Sequence, residues 1–136
     1  MIVTDNGKNR LMNLTLNEML SKAIDCHRDG KREEAKELYK EILDVNSRDP
    51  DANHNMGLIY RYEEKDAEAL TYFWTAFEVN PDEWQYWISY INTLILANQM
   101  NNAQIMYDAA RKAGAVGEAF DEVENILVKP LERKAS

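Results

Sequence analysis

The chain repeats itself at a fixed spacing along its whole length. Ala69 has one alanine 34 positions before it, Ala35, and another 34 positions after it, Ala103. The same step relates two further sets of residues, which are Tyr39, Phe73 and Tyr107, and Ile42, Ala76 and Ala110. A repeat of this length is typical of helical hairpins that stack into a solenoid, because one hairpin cannot bury its apolar face alone. The spacing therefore predicts an all-α solenoid.

Turn residues divide this solenoid into three hairpins. Gly30, Glu64 and Asn98 follow one another at the same spacing, and each is predicted to form the turn inside its hairpin. Glycine and asparagine tolerate the left-handed conformation that such a turn needs, whereas glutamate is less suited to it. We predict a mobile tail over 1–13, a repeat domain over 14–128 and a frayed end over 129–136. The predicted units within the domain are 16–49, 50–83, 84–116 and a capping helix over 117–128.

The capping helix is predicted to cover the apolar face of the third hairpin, because the last unit of a solenoid has no neighbour to do so. Pro130 should end this helix, since proline is unfavourable in a helix interior. Its apolar face is predicted to consist of Ala119, Phe120, Val123, Ile126 and Leu127.

One unit carries a recognisable sequence pattern. Residues 50–83 contain Gly-x2-Tyr, then Ala-x3-Phe-x2-Ala, then proline, at Gly57, Tyr60, Ala69, Phe73, Ala76 and Pro81. This pattern, together with the repeat spacing, resembles the tetratricopeptide repeat (TPR). The resemblance covers about residues 16–127. It implies a right-handed superhelix of helical hairpins that works by binding another protein chain.

Composition limits the classes of partner. The net charge is −8 and the sequence pI is near 4.8, which argues against nucleic acid or an anionic membrane as the main partner. A single cysteine, Cys26, fits a reducing compartment. Residues 1–15 contain no continuous apolar run that would indicate a secretory signal or a membrane helix. We therefore expect a cytoplasmic protein.

The residues that could carry chemistry do not form a catalytic pattern. His27 and His54 should lie about 10 Å apart along neighbouring helices, too far to share a metal ion at about 2 Å from each nitrogen. Cys26 takes an apolar position in its unit, which favours a buried structural thiol. The charges of 33–41, including Lys36 and Lys40, are typical of a solvated helix face. We predict no enzyme activity, no cofactor and no metal site.

The first helix of every hairpin should line the concave side of the superhelix. Its apolar, amide and basic side chains suit an extended or helical peptide, although scattered apolar residues are also common on ordinary solvated faces. The predicted binding residues are Leu20, Ile24, His27, His54, Asn55, Leu58, Arg61, Tyr62, Gln85, Ile88, Asn92 and Ile95.

One activity of the resembled family is not predicted. Its chaperone-binding members hold a C-terminal carboxylate with basic residues and asparagines. At the matching positions this chain has Leu20, Ile24, Asn55, Gln85 and Ser89. Only Asn55 fits that pattern.

The stretch 84–107 contains no residue with a formal charge. Amide side chains interrupt it, so it is not a membrane span. Aromatic residues with few charges are typical of a core or of an interface centre. We predict core for most of them, with an exposed strip around Trp84, Ile88 and Ile95 as a docking or dimer surface. A homodimer could form through this uncharged third repeat or through the capping helix.

The segment 81–127 also resembles the end of N-terminal TPR modules in bacterial glycosyltransferase and sulfotransferase proteins. The resemblance rests on the W-x-S-Y-I pattern that begins at Trp87 and the G-E-A-F pattern that begins at Gly117. The predicted function is a non-catalytic scaffold that binds a peptide or partner helix in the concave groove. Two alternatives stay open: an accessory module of a transferase-type enzyme system, and a self-associating structural protein.

Overall fold

The computed structural model describes residues 15–135, with side chains described through residue 128. This part of the chain forms seven helices and contains no strand. Their bounds are α1 Leu16–Arg28, α2 Arg32–Val45, α3 Pro50–Tyr62, α4 Asp66–Val79, α5 Trp84–Leu96, α6 Met100–Lys112 and α7 Glu118–Ala135. The predicted all-α architecture is confirmed. The predicted mobile tail lies outside the described residues.

The helices pack as consecutive hairpins. Within the pairs α1–α2, α3–α4 and α5–α6 each helix contacts its partner, and α2 contacts α3 as α4 contacts α5. The first helices also touch one another, α1 with α3 and α3 with α5. Helices α1, α3 and α5 therefore lie side by side and share one face of the molecule.

Polar side chains cap the first helix of each hairpin. The backbone N–H of Glu18 donates to Oγ1 of Thr15 at 3.1 Å, and that of Ala52 donates to Oδ1 of Asp49 at 2.9 Å. Pro50 follows Asp49 at the first helical position, where its missing N–H costs nothing. These caps fix where α1 and α3 begin.

The three turns inside the hairpins are left-handed, as predicted. Gly30 has φ +82°, Glu64 has φ +62° and Asn98 has φ +58°. The Cβ of a glutamate makes the left-handed backbone conformation unfavourable, so the second turn is the least favourable of the three.

The core is built from the positions that recur from one unit to the next. Ala35, Ala69 and Ala103 are fully buried, and so are Tyr39 and Phe73. Small residues at these positions let the helix axes approach closely. Gly57 shows how close, because a Cβ placed there would lie 2.4 Å from the Phe73 ring.

Helix α7 covers the third hairpin with part of its predicted apolar face. Phe120, Val123 and Leu127 are buried in one cluster with residues of α5 and α6. Ala119 is exposed and Ile126 is 43% exposed, so the prediction is wrong for these two residues. The buried residues fall three and four apart, which is the narrower stripe of a helix that covers one end of a bundle.

Two predictions made from local patterns are corrected by the structure. Helix α7 continues through Pro130 to Ala135, whereas the sequence predicts an end at the proline; a helix can pass a proline when it gives up one backbone hydrogen bond. Lys36 is buried instead of solvated, because its Nζ donates to both carboxylate oxygens of Glu63 at 2.9 and 2.8 Å. This pair ties α2 to the end of α3.

In the part of the chain described here, none of the helices is both long and apolar enough to traverse a bilayer.

Candidate functional site

The twelve predicted binding residues fall into three groups by exposure. We call the surface of α1, α3 and α5 that carries Ile24, Leu58, Arg61 and Asn92 the groove face. Ile24 is 38% exposed and Tyr62 is 66% exposed. His54 and Ile88 are buried. Gln85 is exposed as well, and the seven half-buried residues are Leu20, His27, Asn55, Leu58, Arg61, Asn92 and Ile95.

His54 is a structural histidine beneath the groove face. Its ring packs 5.3 Å from that of Phe73 and 4.9 Å from that of Tyr86, between centroids. Its Nε2 shares a hydrogen bond with Oγ of Ser89 at 2.8 Å. Burial, and next the charge of Arg61, lower the pKa of His54 to about 4, so the imidazole is neutral at physiological pH.

Ile88 lies in the core and not on a binding surface. It is 4% exposed and packs in the cluster that α5, α6 and α7 form. The predicted exposed strip is therefore wrong at Ile88, and Trp84 and Ile95 are half-buried against the same cluster. Ile88 occupies the same repeat position as His54, one unit later, and His54 is also buried. This repeat position belongs to the contact between neighbouring first helices, since α3 touches α5.

The second histidine, His27, is half-buried beside the α1–α2 turn. Its ring lies edge-on to Tyr39 with 6.5 Å between centroids. Burial, and next the charge of Arg32, lower the pKa of His27. Among the described residues no group of three His, Cys, Asp or Glu side chains is arranged to hold a metal ion. Cys26 is buried, with Sγ 3.9 Å from Oε2 of Glu34.

Two contacts at the groove face are not predicted from the sequence. The guanidinium of Arg32, from α2, lies 4.0 Å from the ring centre of the exposed Tyr62. The hydroxyl of Tyr86 donates to Oδ1 of Asp51 at 2.8 Å, which links α5 to α3. Each contact depends on side-chain rotamers across two helices, and only the second could be suspected from a separation close to one repeat.

The amide side chains of the groove face differ in the hydrogen bonds that they already make within the chain. Asn55 donates to the backbone oxygen of Asp51 at 2.8 Å, and Gln85 donates to Oγ of Ser89 at 3.3 Å. No hydrogen bond of the Asn92 side chain occurs within the described part of the chain. The face therefore keeps an amide that can bond to a peptide backbone.

A separate cleft of about 280 Å³ lies between α4 and α5. Trp74 is 42% exposed there and sits 5.7 Å from the ring of Tyr90. The cleft has no distinct signal in the sequence, because aromatic residues at such positions also fit a core pattern. Its lining residues are Leu70, Thr71, Trp74, Thr75 and Tyr90.

Comparison with known proteins identifies the fold. No protein-family model matches the chain, and no curated protein matches it significantly. Solved structures do match. A tetratricopeptide repeat protein from Parabacteroides merdae gives a TM-score of 0.78 at 18% identity, over 90% of this chain and 48% of that one. This chain thus spans about half the length of that protein.

Two further neighbours were solved with a peptide. The first TPR of Spaghetti (RPAP3), bound to an HSP90 peptide, gives a TM-score of 0.73 at 18% identity and covers 100% of both chains. The chaperone SycD of Yersinia enterocolitica, in complex with a peptide of YopD, gives 0.74 at 16% identity over 89% of this chain and 95% of that one. The chain therefore has the fold of tetratricopeptide repeat proteins. None of these three descriptions names a glycosyltransferase or a sulfotransferase, so that resemblance has no support here.

Proposed function

We propose that this chain is a non-catalytic scaffold that binds a peptide segment of another protein on its groove face. The segment is extended or helical, and it lies across α1, α3 and α5. Cofactors, nucleic acid and membranes have no part in this function.

The proposal rests on one observation: the groove face has both apolar and polar side chains that are not packed in the core. Ile24 and Leu58 offer apolar surface, while Asn92 offers an amide and Arg61 a guanidinium. Peptide grooves combine these two kinds of group, because apolar contacts give affinity and a few polar groups fix direction and register. The two neighbours solved with peptides support this function through their shared fold.

A peptide-display selection tests the proposal. Random 12-residue peptides displayed on phage are selected on the immobilised full chain, and the enriched peptides are synthesised for affinity measurements. Ile24→Glu with Leu58→Glu should abolish their binding, because both changes bring charge onto partly exposed apolar surface. The matched control is Lys40→Ala, an exposed α2 residue, which should bind as the parent does. Both variants should keep the circular dichroism and melting of the parent. Binding that survives the double change contradicts the groove face as the site.

Self-association is the second candidate, and exposed apolar side chains near the third hairpin favour it. Leu96, Ile105 and Val116 are 65%, 63% and 72% exposed, and Ile126 and Val128 are partly exposed on α7. Light scattering on the pure chain tests this function: a dimer that Ile105→Ser with Val116→Ser converts to a monomer supports it. A monomeric parent at all concentrations contradicts it.

A further inference from the structure

Arg61 differs from the other cations that the structure holds between helices. Lys36 has a carboxylate oxygen of Glu63 at 2.8 Å, and Arg111 pairs with Asp121 at 2.6 Å. Within residues 15–128, no carboxylate lies within 4.0 Å of the Arg61 guanidinium, and it donates no hydrogen bond. Arg61 is half-buried on the groove face and still lacks an anion.

Its present surroundings compensate the charge only weakly. The guanidinium carbon lies 5.9 Å from the ring centre of Phe73, near the outer limit of a useful cation–π contact. Burial lowers the pKa of Arg61, and the more distant charge of Asp66 opposes that effect. A guanidinium that is partly removed from water without an ion pair is poised to gain from an incoming carboxylate.

The charges around Arg61 give the groove face a direction. Asp51 lies ten residues earlier on α3, about 15 Å away along the axis, and its carboxylate already accepts the Tyr86 hydroxyl. Helix α5 contributes no charged residue, and His54 is neutral. Arg32, which also has no carboxylate within 4.0 Å in the described residues, stands by Tyr62 at the same end of α3 as Arg61. Glu63, Glu64 and Asp66 also stand at this end, and Glu63 is paired with Lys36 at 2.8 Å. Arg61 is therefore the charged residue of the groove face that is left without a carboxylate, and it lies at one end of that face.

We propose that the peptide bound on the groove face is acidic at one end and presents a side-chain carboxylate to Arg61. Apolar residues of the same peptide pack along Ile24 and Leu58. This inference rests on the proposed function and names the chemistry of the partner. A carboxylate fits the planar guanidinium with two parallel hydrogen bonds, so it also fixes the direction in which the peptide lies.

The peptide selection described above provides the probe. Peptides enriched on the parent chain should contain Asp or Glu at one conserved end more often than the unselected library does. Selection on Arg61→Gln should lose this acidic enrichment, whereas selection on Arg48→Gln should keep it. Arg48 is the matched control because it is an exposed arginine with a carboxylate partner, Glu78, and the change removes the same charge. Arg61→Lys should restore part of the enrichment.

Affinity measurements with one selected synthetic peptide provide a second test. Replacing its acidic residue with the matching amide should weaken binding to the parent about tenfold to a hundredfold. The same replacement should change binding to Arg61→Gln by less than about twofold, because the partner is already gone. An equal loss on both proteins, or groove-bound peptides without acidic residues, overturns the inference but leaves the proposed function standing. If no selected peptide loses its binding when Ile24→Glu is combined with Leu58→Glu, both this inference and the proposed function are overturned.

Discussion

The second and third hairpins place different side chains at equivalent positions of the repeat. Gly57 of α3 corresponds to Ile91 of α5, and the buried His54 corresponds to the buried Ile88. Around the second hairpin the structure keeps a neutral histidine, an unpaired arginine and an ion pair with Lys36. The third hairpin packs aliphatic and aromatic residues against α7, and its buried polar residues, Ser89 and Thr93, carry no charge.

The two hairpins use their equivalent positions for different purposes. A close-packed solenoid needs small and large residues to alternate at the helix contacts, but it does not prescribe polarity where neighbouring first helices meet. The second hairpin uses that freedom for polar groups at the groove face. The third hairpin uses it for burial, which anchors the end of the solenoid.

The largest effect should come from a charge at the alanine position that both hairpins share. Ala69→Arg and Ala103→Arg each place an unpaired charge at a fully buried site, and each should cost more than about 3 kcal/mol of the free energy of unfolding. Ala67→Arg, at an exposed position of α4, is the control and should change it by less than about 0.5 kcal/mol. Thermal melting measures all three. An Ala69→Arg chain that melts within a degree of the parent means that the repeat alignment is wrong.

Acid should weaken the second hairpin before the third, because only the second has a buried histidine. The folded-state pKa of His54, about 4, lies below the unfolded value near 6.5. Its stabilising contribution is therefore complete above pH 6.5 and is lost as the pH falls from 6.5 towards 4. The free energy of unfolding should drop on the order of 2 kcal/mol between pH 7 and pH 5. Urea titrations at several pH values measure the drop.

His54→Ile copies the third hairpin at this position and should flatten that pH dependence. The part that remains should come from His27, whose pKa burial also lowers. A pH profile that is identical in the variant and the parent would assign the acid sensitivity to other groups.

A methyl group at Gly57 should disturb the second hairpin in a way that has no counterpart in the third. Gly57→Ala places Cβ 2.4 Å from the Phe73 ring, so the ring must move. Overpacking costs about 1–3 kcal/mol, and the better helix propensity of alanine returns about 0.5–1 kcal/mol. The net loss should be about 1–2 kcal/mol by urea denaturation. In a Phe73→Leu background the same change should cost less, and an undiminished cost would remove Phe73 as the cause.

The smallest effect concerns the turns. Glu64→Gly should stabilise the chain by about 0.5–1 kcal/mol, because φ +62° strains glutamate but not glycine. Asn98→Gly should gain less, since asparagine tolerates φ +58°. Equal gains in melting temperature would mean that the two turns are equally strained.

More features of the backbone than of the candidate site could be predicted from the sequence. The repeat spacing located the buried alanines, the wedge residue Phe73 and all three left-handed turns, because these depend on backbone geometry that each unit repeats. It failed for Ile88 and Lys36, whose burial depends on which neighbouring helix approaches them. It also gave no sign that Arg61 lacks a carboxylate partner, since ion pairs between helices depend on side-chain rotamers.

Nuclear magnetic resonance shows whether a peptide occupies the groove face. The ¹⁵N-labelled full chain is titrated with one selected peptide, and the amide shift changes are mapped on the structure. The largest changes should cluster around Ile24, Leu58, Arg61 and Asn92. Changes centred instead on Trp74 and Tyr90, at the cleft between α4 and α5, would contradict binding at the groove face.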